Sequence, residues 1–134
     1  MNKTVIQPPD VAAPRAPYST AIRVRAAEFV FMAGVVSCDV FGTLVHPGDI
    51  LGQTRQIIKN LKAIVEEAGG TPESVVKTTT YVVADAMESF FETDAFREFL
   101  EAFHSPADTL VGVASFVGSE RGQLIEVDAV AALG

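Results

Sequence analysis

A chain of 134 residues, 49% hydrophobic with nine Phe and no Trp, is long enough for one domain with its own core and too apolar for a disordered segment. A net charge of −7 and the absence of any Lys/Arg cluster exclude a protein that works by neutralising phosphates, so no nucleic acid is expected as a partner. The single cysteine, Cys38, excludes an internal disulfide framework and zinc-type ligand spacing. No apolar run has the length of a signal-peptide core or a membrane span, and the expected setting is a reducing cytoplasm.

Residues 1–17 hold Pro8, Pro9, Pro14 and Pro17, which fix φ and remove backbone donors, so this stretch is expected to be an extended, loosely structured lead-in. Thr20–Val24 is a short strand candidate, with a break at Ala26-Ala27-Glu28. Phe29–Ser37 is the next strand. Its two alternating sets, Phe29, Phe31 and Ala33 against Val30, Met32 and Gly34, are both apolar or small, the pattern of a strand covered on both faces. Asp39–Leu44, with Gly42, reads as a hairpin-like turn.

The spacing of Ile50, Leu51, Ile57, Ile58, Leu61, Ile64, Val65 and Ala68 predicts an amphipathic helix from Asp49 to Ala68. Asp49 caps its start and Gly69-Gly70 ends it. Thr71-Pro72-Glu73 starts a single turn, and the β-branched run Val75–Val83 is a strand. Asp85 followed by Glu88 resembles a capping box opening a second helix that runs to about Phe103, its Phe-rich stripe serving the core. Thr109–Val117 is a strand, Gly118–Gly122 a turn, and Leu124–Leu133 the last strand.

The expected architecture is one α+β domain in β-β-α-β-α-β-β order, with five or six strands and both helices on one face of the sheet. The other face is also apolar, and the chain has no third helix to cover it. Sheets of other subunits are the expected cover.

Glu126 interrupts the apolar run Leu124-Ile125-Val127-Ala129. A carboxylate in a buried-strand pattern needs a partner or a wet cleft, and there it can serve as an acid or base. Period two also places Glu126 and Asp128 on one face, which fits a plain polar edge equally well. Tyr18 follows Pro17 at the start of a strand, where a tyrosine either orients a ligand or simply packs. His46, His104 and Cys38 sit in no catalytic or ligand-like spacing and read as surface or idle groups.

Several short segments, taken in order, resemble the Rid family of reactive intermediate deaminases (YjgF, RutC, endoribonuclease L-PSP). They are Ala16-Pro17-Tyr18-Ser19, Phe31-Met32-Ala33-Gly34, Gln53-Thr54-Arg55-Gln56 with Asn60-Leu61-Lys62-Ala63-Ile64, Val75-Val76-Lys77-Thr78-Thr79 and Ile125-Glu126-Val127-Asp128-Ala129. The resemblance covers almost the whole chain. It implies a chorismate-mutase-like sheet and a homotrimer with a cleft between neighbours. It also implies cofactor-free hydrolysis of imino or enamine acids to oxo acids and ammonia. Carried over, the family's tyrosine falls on Tyr18, beside Ser19, and its glutamate on Glu126. A polar helix residue falls on Thr93, and a frequent cysteine on Leu110. The arginine that holds the substrate carboxylate in that family falls on Asp108, in Ser105-Pro106-Ala107-Asp108-Thr109.

With a cation replaced by an anion, the usual 2-imino acid substrate is not expected. Three readings follow. The first is a diverged hydrolase for a neutral or cationic imine, enamine or related compound. The second is a non-catalytic ligand-binding or regulatory trimer. The third, a metal held by Asp108 and Glu126, is the weakest, because no histidine lies at ligand spacing.

Overall fold

The computed structural model describes all residues, Met1–Gly134. The chain runs β1 (Asn2–Ile6), β2 (Ala21–Arg25), β3 (Glu28–Val35), α1 (Ile50–Glu67), β4 (Val75–Val83), α2 (Met87–Glu92), α3 (Ala95–Ala102), β5 (Ala107–Val113) and β6 (Ile125–Leu133). Four strands make the central sheet in the order β3-β6-β4-β5. Only β4 and β5 are parallel, and β6 is antiparallel to both of its neighbours. The α+β expectation holds, with two differences.

First, the lead-in is not loose throughout. Asn2–Ile6 pairs antiparallel with Ala21–Arg25, from Asn2 opposite Arg25 to Ile6 opposite Ala21. The prolines all fall in the loop between these strands, so they leave the pairing of residues 2–6 intact. The hairpin β1-β2 is a two-stranded sheet of its own.

Second, the single helix expected from Asp85 to Phe103 is two helices. Thr93 ends α2, its Oγ1 donating to the Ser89 carbonyl at 2.6 Å, and Asp94 then takes a left-handed φ of 60°. Asp tolerates that conformation better than most residues. The bend gathers Phe90, Phe91 and Phe96, with ring centroids 5.2 to 6.2 Å apart. Asp85 caps nothing: it lies inside a 3-10 turn, Ala84–Ala86, and α2 starts without a side-chain cap.

Helix α1 follows its periodicity. The Asp49 carboxylate accepts from the Gly52 amide at 3.0 Å, and Gly69 leaves the helix with φ 93°. Ile57, Leu61 and Val65 from α1 are fully buried against Val75 and Val82 of β4 and Ile125 and Val127 of β6. Phe90, Phe99, Leu100 and Phe103 complete the core. On β4, buried Val76, Thr78, Thr80 and Val82 alternate with partly exposed Lys77, Thr79, Tyr81 and Val83. One face of the sheet is therefore sealed by the helices and the other lies open. Phe31 of β3 stands 79% exposed on the open side. No helix is long and apolar enough to cross a membrane.

Candidate functional site

The parallel pairing of β5 with β4 sets Asp108 beside Thr78. Because Thr78 points to the helix-covered face, Asp108 does as well. Its Oδ2 accepts from Thr78 Oγ1 at 2.6 Å and from Thr80 Oγ1 at 2.7 Å. Its Oδ1 is buried and has no hydrogen-bond partner. Burial pushes this carboxyl above the usual carboxylate range, against the two threonine hydroxyls and the Lys77 charge, which favour ionisation.

β5 is the outer strand of the sheet, so Asp108 sits at a rim rather than in the centre. Beside it opens a cavity of about 440 Å³ lined by Arg15, Ala16, Tyr18, Phe91, Phe96, Asp108, Thr109 and Leu110. Three of the six residues singled out in the sequence, Tyr18, Asp108 and Leu110, thus converge. The lining is mixed, aromatic with a few polar groups.

The other three stand apart. Ser19 is buried behind the cavity, its Oγ donating to the Ser105 carbonyl at 2.6 Å and its amide to the Pro106 carbonyl at 3.0 Å. It anchors the segment that carries Tyr18. Thr93 is spent on the end of α2 and does not line the cavity. Glu126 lies opposite Tyr81 in the β4-β6 ladder, on the open face, and Gln123 Nε2 reaches its Oε1 at 3.4 Å. Gly34 lies against it so closely that a Cβ at that position would collide with the Glu126 carboxylate. Two residues on, Asp128 accepts from the Tyr81 hydroxyl at 3.1 Å, which is the first cause of the raised Tyr81 pKa. Within the chain, then, Asp108 and Glu126 occupy opposite faces of one sheet.

Arg15, Phe91 and Phe96 are cavity residues that the sequence did not announce. Phe91 and Phe96 belong to a stripe that reads as core. Arg15 sits in a segment without periodicity, and only its neighbourhood to Tyr18 hinted at it. No three His, Cys, Asp or Glu side chains cluster closely enough to hold a metal ion.

An open-faced sheet under amphipathic helices, with a rim pocket and a second polar cluster on the bare face, defines a class of α+β domain. Comparison with known proteins gives that class its family. The profile described as Endoribonuclease L-PSP matches residues 9–133. A RutC family protein of Pyrococcus abyssi is 35% identical over 131 residues, covering 98% of each chain. The Rid family protein YyfB of Yersinia pestis superposes with a TM-score of 0.85 at 32% identity, covering 99% of this chain and 100% of its own. YyfA of the same organism, also of the Rid family, gives 0.65 at 29% identity over 98% of this chain and 99% of its own. The chain belongs to the YjgF/Rid family, also called endoribonuclease L-PSP.

Proposed function

We propose that this protein is a diverged, cofactor-free hydrolase that deaminates a neutral or cationic imine, enamine or related small molecule in a cleft between subunits. The observation that carries the reading is Asp108: a half-buried carboxyl in the wall of a ligand-sized cavity, its Oδ2 held by Thr78 and Thr80. A carboxyl in such a wall favours an N–H or ammonium donor on a ligand over a second carboxylate. A substrate carboxylate there would meet no cation at position 108. The net charge of −7 likewise favours a small molecule over RNA.

Since Asp108, Tyr18 and Leu110 lie on the helix side while Glu126 lies on the open face, one cleft holding all four draws on two copies. Three such clefts in a homotrimer in the cytoplasm is the assembly we envisage. In the reaction, Glu126 accepts a proton from water as the oxygen adds to the C=N carbon. That proton passes to nitrogen, the added hydroxyl then gives its own proton to the nitrogen as the C–N bond breaks, and ammonia leaves with a carbonyl product. Water supplies the oxygen and the two hydrogens, so the step balances without a redox partner. Tyr18 orients the ligand or the water, and Leu110 provides an apolar wall.

The test is a coupled deaminase assay offering 2-iminopropionate beside neutral and cationic imines. Wild type is expected to be slow on the 2-imino acid and to turn over one of the others, with Glu126→Gln silent. Asp108→Arg is expected to gain the 2-imino acid. Wild-type turnover of 2-iminopropionate at ordinary enzyme rates, on the order of 1–1000 per second, overturns the substrate assignment. Silence of every variant on every imine favours the second reading, a non-catalytic ligand-binding trimer, for which the same Asp108 carboxyl is the recognition group.

A further inference from the structure

The hairpin β1-β2 has no strand partner in the rest of the fold, and β3 has none on its outer side. An isolated two-stranded hairpin is at best marginally stable in water, and an eight-residue edge strand is an open template for pairing. Consecutive strands usually lie side by side, yet β2 and β3 form no ladder. The connection explains why. Only Ala26 and Ala27 separate them, and a two-residue hairpin loop needs φ > 0 at one or both positions, the work of Asn-Gly or Gly. Neither alanine adopts a positive φ. Instead the Ala27 amide donates to the Leu133 carbonyl at 2.9 Å, continuing the β3-β6 ladder, and the hairpin is carried away from its own β3.

We infer that β2 of each copy pairs with the β3 edge of another copy, so that the hairpin is exchanged between subunits. An exchanged element keeps the register it would have had at home. For a two-residue connection that register sets Arg25 opposite Glu28, Val24 opposite Phe29 and Ile22 opposite Phe31. Every facing pair but one is then complementary in kind. Arg25 meets a carboxylate, and Val24 and Ile22 cover Phe29 and Phe31, which are 50% and 79% exposed in the single chain. Arg23 opposite Val30 is the pair without such a match. The charge also fits. The two hairpin strands carry Lys3, Arg23 and Arg25 and no acidic residue, whereas the whole chain is −7, so a basic arm meets an acidic body.

The test uses full-length copies with one engineered cysteine each, in a Cys38→Ser background. Val24→Cys and Phe29→Cys chains are co-expressed and gently oxidised, and each is also oxidised alone. Directly opposed strand positions lie within disulfide range. The expected result is a covalent two-chain species in the mixture and none in either protein alone. No link in the mixture, with circular dichroism unchanged from wild type, overturns the exchange, and so does equal linking in a single protein. As a second arm, Val24→Cys and Phe29→Cys are placed in one chain with Ala26→Asn and Ala27→Gly, which supply the tight turn. The disulfide should then move inside the chain. If it already forms inside the chain with Ala26 and Ala27 in place, β2 folds back at home and the exchange fails.

Discussion

Gln53 shows how much one side chain can hold. It is fully buried, and its Nε2 donates to the His46 carbonyl at 2.9 Å and the Gly122 carbonyl at 2.7 Å. Its Oε1 accepts from the Leu124 amide at 2.9 Å. It ties the loop before α1 to the turn before β6, the strand that carries Glu126. Gln53→Ala removes three hydrogen bonds and leaves the Leu124 amide without a partner, while the His46 and Gly122 carbonyls keep the Asp49 and Gly48 amides. It is expected to lose about 1–3 kcal/mol in urea unfolding. Asp108 acts through its proton. Its folded pKa is raised, so between the ordinary carboxylate value and the folded value the native chain holds a proton that the unfolded chain has released. Its contribution to stability therefore falls as pH rises through that window. Asp108→Asn should remove this slope: relative to wild type it gains stability as pH climbs from the ordinary carboxylate range, read by denaturant melts at a series of pH values. Gly34 lies against a flexible carboxylate rather than backbone. Gly34→Ala should leave the melting curve nearly unchanged while displacing Glu126, so the proposed deaminase turnover should fall as expected for Glu126→Gln.

At the scale of elements, α1 is held by an ordinary cap and α2-α3 by an uncommon bend. Removing the Asp49 cap with Asp49→Ala is expected to destabilise by about 1 kcal/mol. The Asp94 backbone at φ 60° accepts Gly freely and a β-branched residue poorly. Asp94→Gly should match or exceed wild-type stability, and Asp94→Val should lose on the order of 1–2 kcal/mol, both read by thermal melts. The bend matters to the site because it swings Phe91 and Phe96 to the cavity wall. The bidentate pair from Arg55 on α1 to Glu98 on α3, at 2.9 and 3.0 Å, bridges the two long helices. It lowers the Glu98 pKa, first through the hydrogen bond from Arg55. Being well exposed, it adds little to stability.

At the scale of the molecule, the sheet separates two chemistries. The helix-covered side carries a buried carboxyl and an aromatic cavity. The bare side carries Glu126, Asp128, Tyr81 and an apolar margin of Phe29, Phe31 and Val130. A large exposed face of this kind marks an interaction surface. It makes an assembly whose clefts combine both sides the economical arrangement for the proposed reaction. Light scattering is expected to return a mass above that of one chain, and Phe31→Asp, which places a charge on that face, is expected to lower it.

Much of this was legible in the linear chain, because it depends on local periods. The α1 stripe, the alternation along β4 and β6, the Asp49 cap and the Gly69 stop are each written within a few residues, and the structure places them within one or two positions. The order of family segments was legible for the same reason, and the resemblance it carries assigned Tyr18, Asp108 and Leu110 to one site. What only the tertiary structure decided depends on groups distant in sequence. The split at Thr93-Asp94 follows from packing three phenylalanines together, which no single helical period encodes. Arg15 enters the cavity because the lead-in is pinned by Ser19 to Ser105 and Pro106. Asp108 and Glu126 part to opposite faces because strand register, set by ladders between segments tens of residues apart, decides which way each side chain points. The sequence determined which elements form and which family they make. Pairing across the sheet decided which side chains meet, since a one-residue change of register reverses every side chain on a strand.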